Sequence, residues 1–191
     1  MKHQGTSCIP VPISARLDLF KAPVLPEVAE EISEAVARLA NDIRDNYDIV
    51  IADTGQFWSG LTGELLCNSS LVLIVMDQRR ASAYGAIKAL ELCQRLGIPM
   101  ARIAFVLNRA SGMSHSEIER IEDSLGCEEL FRLADGKTTI EALVGMGRIE
   151  ELVEEGPAPL PDIELLLTKL LPRIGIEFPA IERKKTRRFF T

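Results

Sequence analysis

The sequence is poor in residues that form disulfides or hold metals. It has only four cysteines, Cys8, Cys67, Cys93 and Cys127, and two histidines. No two cysteines form a CxxC pair, which argues against a disulfide scaffold and against a zinc site. With 191 residues, the chain has the length of one domain with its own core.

Long apolar runs are also absent. The longest strongly apolar run, Leu71 to Met76, is too short to cross a bilayer. The first fourteen residues contain no apolar stretch of signal-peptide length. We therefore expect a reduced, cytoplasmic protein.

The charge is distributed unevenly. The net charge is -6, but residues 182–191 hold five basic residues against one acid, so the body of the chain carries about -10. Such an acidic body is a poor binder of nucleic acid. The tail permits two interpretations. It is a peripheral anchor on an anionic membrane surface, or it is a segment that binds a protein partner or only keeps the chain soluble. Its basic and aromatic residues are Arg183, Lys184, Lys185, Arg187, Arg188, Phe189 and Phe190.

Three short apolar runs predict buried strands of a parallel sheet. These runs are Asp48–Asp53, Leu71–Asp77 and Ile103–Asn108. Amphipathic segments predict helices over Glu27–Arg44, over Ser82–Leu96, and from Ser114 or Ser116 to Leu125. The alternation predicts an α/β fold, with a mostly parallel sheet and helices on both faces.

The remaining segments complete the predicted domain plan. Pro10 and Pro12 predict irregular chain over residues 1–14, and alternation predicts a short strand over Ala15–Lys21. Helical turns are expected at Thr138–Gly145 and Arg148–Glu154, and a last helix at Asp162–Leu171. We expect an α/β domain over 15–178, followed by a basic tail over 179–191.

Polar residues at the ends of the predicted strands are the candidate site, because ligands of parallel sheets bind there. Asp53 suits the binding of a magnesium-bound water, and it equally suits capping of the next turn. The amide of Asn108, which precedes Arg109, can pair with a purine edge or bond its own turn. Asp77, with Ser82 beyond it, favours a structural role.

One motif fragment is set aside. Gly136, Lys137 and Thr138 match the end of a phosphate-binding P-loop, GxxxxGK[ST]. Position 131 is phenylalanine rather than glycine, and residues 128–135 are not expected to form a buried strand. We therefore assign no phosphate site to this segment.

Four segments in order resemble the ParA/MinD-type deviant-Walker ATPases, and most closely their CpaE/TadZ-like pilus-assembly branch. They are LDLFKAPVLPE (17–27), YDIVIADTGQF (47–57), LVLIVMDQRRASAYGAIKAL (71–90) and IAFVLNR (103–109). The resemblance implies a P-loop NTPase-like fold that is truncated at its N-terminus. It implies that Asp53 lies near magnesium and the attacking water, and that Asn108, Arg109 and Asp135 lie on the adenine side. Phe57 and Trp58 then fall at the mobile switch and dimer contact; the alternative is that both side chains fold back onto the core.

The family's first strand and its lysine-bearing phosphate loop have no counterpart in the sequence. The missing strand lies in the middle of the family's sheet, so its absence leaves strand edges that must pair anew or with a partner. The resemblance then implies no ATP hydrolysis by this chain alone. It implies ATP and magnesium binding only where another segment or chain supplies the loop.

Three functions stay open. The first is a localisation or scaffold factor that acts through protein contacts or a homodimer in pilus or secretion-machine assembly. It would be cytoplasmic or peripheral at the inner membrane face. The second is the C-terminal portion of an active ATPase whose Walker A segment lies elsewhere. The third, a flavodoxin-like module that binds a small molecule, has no phosphate loop in its favour.

Overall fold

The structure is a computed structural model and describes residues 10–21, 43–55 and 58–178. The chain divides into two compact units, residues 1–69 and residues 70–191. The predicted helix over Glu27–Arg44 lies outside the described residues except for Ile43 and Arg44, which are helical.

A small hairpin begins the first unit. Strand β1 (Val11–Ser14) pairs antiparallel with β2 (Leu17–Leu19), which confirms a strand within Ala15–Lys21. The expectation of irregular chain before residue 15 is wrong, because Pro12 lies in β1 opposite Asp18. A two-stranded ribbon consists only of edge strands, where a proline need not remove a ladder hydrogen bond.

Side chains from further along the unit pack against this hairpin. The Tyr47 hydroxyl donates to Asp18 Oδ2 at 2.5 Å, and its ring meets the Phe20 ring edge-on at 5.8 Å. Helix α1 (Gly60–Asn68) closes the unit, and the sequence did not predict it. Its first turn is capped by Ser59, whose hydroxyl accepts the Thr62 N–H at 3.2 Å.

The predicted strand over Asp48–Asp53 is wrong. These residues form no regular structure, and Ile51 is 89% exposed. The reason is that a run of β-branched residues becomes a strand only when a neighbour takes its backbone hydrogen bonds and covers its side chains. Among the described residues, no strand pairs with this segment.

A parallel sheet organises the second unit. Its order is β3 (Val72–Met76), β4 (Ile103–Ala110) and β5 (Leu130–Ala134). The first two strands confirm the predictions over Leu71–Asp77 and Ile103–Asn108. Strand β5 contradicts the expectation for residues 128–135, since it is a strand whose Leu130 and Phe131 are buried.

Helices connect these strands and follow them, and each predicted helix of this unit is confirmed to within a few residues. Ser114 caps one of them and Gly126 ends it in the left-handed conformation, at φ +61°. Short 3₁₀ turns lie at Met100–Arg102 and Leu171–Ile174. The helices are α2 (Arg80–Arg95), α3 (His115–Leu125), α4 (Lys137–Gly145), α5 (Ile149–Glu155) and α6 (Leu160–Leu170).

The two faces of the sheet are covered unequally. On one face, α2 packs on β3, whose Val72, Ile74 and Met76 are buried. On the other face, Leu166 and Leu170 of α6 form a buried cluster with Ala104, Val106 and Phe131 of β4 and β5. No described helix covers this second face at β3, where Leu73 and Val75 are exposed beside Ala104 and Val106.

Candidate functional site

Asp77 directly follows β3 and closes its own turn. Its Oδ1 accepts the Arg79 N–H at 3.0 Å, and its Oδ2 accepts the Arg79 Nε–H at 2.7 Å. These bonds to Arg79 hold the pKa of the Asp77 carboxyl below its ordinary value. The Asp77 N–H donates to the Ser82 hydroxyl at 3.0 Å. The contacts therefore match the structural role that the sequence favoured.

Asn108 and Arg109 lie at an irregularity of β4. Between Leu107 and Ala110 the register with β5 shifts, because β4 holds one more residue than the facing stretch Arg132–Ala134. Arg109 adopts φ +55°, and its N–H donates to Asn108 Oδ1 at 3.0 Å. Strand bulges of this kind re-aim side chains and are over-represented beside active sites.

The Asn108 side chain keeps capacity for a ligand. In the part of the chain that the structure describes, its one recorded hydrogen bond is the contact with Arg109 N–H. An amide oxygen has two lone pairs and an amide nitrogen has two hydrogens. The side chain is only half-buried. Asn108 therefore makes the hydrogen bond within its own turn. Its amide hydrogens and the second lone pair of its Oδ1 can still bond a purine edge.

A contact that the sequence did not indicate joins the ends of β3 and β4. Gln78 Nε2 donates to the Ser111 hydroxyl at 3.4 Å, across 33 positions of the chain. Gln78 lies within the segment 71–90 that carries the family resemblance, but nothing in the sequence relates it to Ser111. The contact joins the loop that follows β3 to the loop that follows β4, close to Asn108 in the sequence.

Asp135 follows β5 and caps the turn into α4. Its Oδ1 accepts the Lys137 N–H at 3.1 Å, and Lys137 adopts φ +49°. A strand does precede Gly136 and Lys137, contrary to our expectation. Only Asp135 and Gly136 separate that strand from the helix. Two residues are too few to form a phosphate-binding loop, so no phosphate site is assigned here.

Asp53 belongs to the first unit and is exposed. Its Oδ1 accepts the Gly55 N–H at 3.2 Å, and Gly55 adopts φ +62°. Within residues 10–21, 43–55 and 58–178, no three His, Cys, Asp or Glu side chains form a metal-binding group. Magnesium is commonly held by one or two carboxylates, water and substrate phosphates. One exposed carboxylate supplies at most one or two of the ligands that magnesium requires, so Asp53 alone does not define a magnesium site.

Other candidate residues are exposed or lie outside the described part. Trp58 is 58% exposed, so it does not fold back onto a core. Phe57 lies outside the described residues, as does the basic and aromatic tail over 183–190. Across the described ranges, no helix combines the length and apolar character that a bilayer crossing needs.

The parallel sheet and its flanking helices define an α/β fold of the ParA-like P-loop NTPase class. The crystal structure of a ParA family ATPase from Chlorobium tepidum TLS is similar to 69% of this chain, with 27% sequence identity and a TM-score of 0.62. The chain spans 55% of the length of that structure. No protein-family model and no curated protein matches the sequence.

Proposed function

We propose that this chain forms the base-side part of a ParA-type nucleotide site and acts with a separate phosphate-binding segment that completes the sheet beside β3. The observation that carries the proposal is the uncovered side of β3. This strand pairs with β4 alone among the described residues, and its Val75 is 58% exposed.

An added strand and helix would cover this side. A strand against the edge of β3 that no described strand pairs with would take the backbone hydrogen bonds of that edge. A helix over the same face would bury Leu73 and Val75 next to the α6 cluster. Full burial of one such side chain stabilises a protein by about 1.5–3 kcal/mol. The second face of the sheet would then be covered at β3.

The chemistry of the proposed site divides between the two parts. Asn108 would bind the purine edge through its amide. The added segment would supply the backbone N–H groups and the lysine that bind phosphates. In phosphoryl transfer such groups provide nearly all of the catalysis, so hydrolysis would require both parts.

Isothermal titration tests this proposal. The chain alone is expected to bind neither Mg-ATP nor Mg-ADP up to millimolar concentration. Addition of a segment that carries a strand and a KGGxGKT loop should restore binding. Asn108→Ala should weaken the restored binding about tenfold, because it loses a bidentate contact worth about 1–3 kcal/mol. Gln94→Ala, an exposed change on α2, is the matched control.

Two outcomes would contradict the proposal. Binding of Mg-ATP by the chain alone would mean that a phosphate site exists within it. Failure of every loop-bearing segment to restore binding would mean that the free edge of β3 has another use.

A localisation or scaffold factor is the second candidate, and the exposed Trp58 favours it. Aromatic side chains are enriched in protein interfaces. The resemblance to the CpaE/TadZ-like branch suggests pilus or secretion-machine assembly as the process. This candidate predicts a nucleotide-independent homodimer in sedimentation velocity that Trp58→Ala weakens. Tyr84→Ala, which removes another exposed aromatic, should leave the dimer intact. A monomer at all concentrations would contradict it.

A further inference from the structure

A group of exposed apolar side chains lies where α4 turns into α5. Val144, Met146, Ile149 and Val153 form this group, which we name the α4–α5 patch. The four fall within ten successive residues, and the two helices pack on each other. Single apolar residues are common on surfaces, whereas four of them on two helices that pack together suggest an interaction site.

The same two helices carry exposed carboxylates. Glu141 lies three residues before Val144, which makes the two side chains neighbours on the surface of α4. Glu154 and Glu155 end α5 and are also exposed. The nearby Arg148 is already paired with Glu151. An occupant of the patch would therefore need apolar groups together with positive charge.

We propose that the C-terminal tail, residues 182–191, docks on the α4–α5 patch of the same chain. The tail has the required chemistry, with Phe189 and Phe190 after five basic residues and one acid. The phenylalanines would cover the patch, and the basic residues would face the carboxylates.

The reach of the tail permits this contact. Phe189 follows the last described residue, Phe178, by eleven positions. Eleven residues span at most about 40 Å when extended. A compact unit of about 120 residues has a radius of gyration of about 14 Å. Much of the surface of the unit is therefore within range of the tail.

Carbodiimide cross-linking of the full chain tests the proposal, because this reagent joins a lysine amine to a carboxylate that it contacts. We expect Lys184 or Lys185 to be joined to Glu154, Glu155 or Glu141, as identified by mass spectrometry. The reaction is run on an equal mixture of unlabelled and nitrogen-15-labelled chains. If the tail docks on its own chain, each cross-link joins two unlabelled peptides or two labelled peptides, never one of each.

Substitutions test whether the apolar residues of the α4–α5 patch hold the tail close to these carboxylates. Ile149→Gln with Val153→Gln should lower the cross-link yield about fivefold or more, since it removes apolar contact area. Phe189→Ser with Phe190→Ser should do the same, although every tail charge remains. Leu165→Gln is the matched control, because Leu165 and Ile149 are both 56% exposed. It should leave the yield unchanged.

Several results would overturn the proposal. One is the absence of the cross-link, and another is a cross-link that neither pair of substitutions lowers. Mixed-isotope peptides would assign the occupant to a second copy instead. Sedimentation of the chain with anionic phosphatidylserine vesicles, dependent on Phe189 and Phe190 and without the cross-link in solution, would assign the tail to a membrane surface.

Discussion

The backbone N–H of Ala134, the last residue of β5, donates a 2.7 Å hydrogen bond to Asp162 Oδ2 in the first turn of α6. The bond is half-buried and joins residues 28 positions apart. It fixes the end of β5 against the helix that covers the sheet. Hydrogen bonds to an ionised group are about twice as strong as neutral ones.

We expect Asp162→Ala to lower the free energy of unfolding by about 1–3 kcal/mol, because the Ala134 N–H loses its acceptor. Urea unfolding followed by circular dichroism measures the change. Asp123→Ala, at an exposed position of α3, is the control and should change stability by about 0.5 kcal/mol or less. Equal effects of the two substitutions would show that the bond to Ala134 is not stabilising.

Gly136 cannot accept a side chain. A Cβ at this position would collide with Ile140 Cγ1 and lie 2.7 Å from the Ala158 carbonyl oxygen. We expect Gly136→Ala to destabilise the chain by about 1–3 kcal/mol, since backbone must shift to admit the methyl group. Gly85→Ala, inside α2 with open space around its Cβ, should instead stabilise by about 0.5–1 kcal/mol. Thermal unfolding of both variants measures whether the first loses stability and the second gains it.

The uncovered side of β3 predicts a difference between two matched valines. Val75 and Val106 face each other across β3 and β4, yet Val75 is exposed and Val106 is buried. Val106→Thr should cost about 1–3 kcal/mol of unfolding free energy, because it buries a hydroxyl in the α6 cluster. Val75→Thr should stay within about 0.5 kcal/mol of the parent chain. A large loss from Val75→Thr in urea unfolding would mean that this side chain is covered in solution.

The N-terminus of α3 predicts a dependence on pH. The Ser114 backbone N–H donates to Glu117 Oε2 at 2.8 Å, and the Ser114 hydroxyl donates to the same oxygen at 2.7 Å. These bonds lower the pKa of Glu117 below its ordinary value of 4.5. A carboxyl whose folded pKa is lowered stabilises the fold above its unfolded pKa. That stability is lost as the pH falls through the folded pKa.

The parent chain should therefore lose more unfolding free energy between about pH 5 and about pH 3 than Glu117→Gln does. Urea titrations at a series of pH values measure this difference. Glu128→Gln removes an exposed glutamate outside the helix cap and should follow the parent curve. Parallel curves for Glu117→Gln and the parent would refute the role of the capping box.

The elements of the second unit were predictable because their signals are local. Val72–Met76 and Ile103–Ala110 are apolar runs, and Ser114 with Gly126 marks both ends of α3. Strand β5 escaped prediction because Arg132 interrupts its apolar run and because its pairing with β4 is a long-range contact. The strand predicted over Asp48–Asp53 is wrong for the opposite reason. Its β-branched residues suggested a strand, but the described residues supply no partner strand for it.

The candidate site also has some features that the local sequence predicted and others that it did not. Asn108 was named from its position at the end of a predicted strand, whereas Asp135 was named only from the family resemblance. The bonds of Asp77 to Arg79 and Ser82 agree with the structural role that the sequence favoured. The register shift at Arg109 and the contact of Gln78 with Ser111 could not be predicted, because each depends on how neighbouring strands align.

The sequence by itself determined the α/β alternation, the helix ends and the polar residues that follow the strands, because these depend on residues close together in the chain. Only the tertiary structure decided which runs become strands and which face of β3 stays uncovered. Those outcomes depend on hydrogen-bonding partners and covering side chains that lie far away in the sequence.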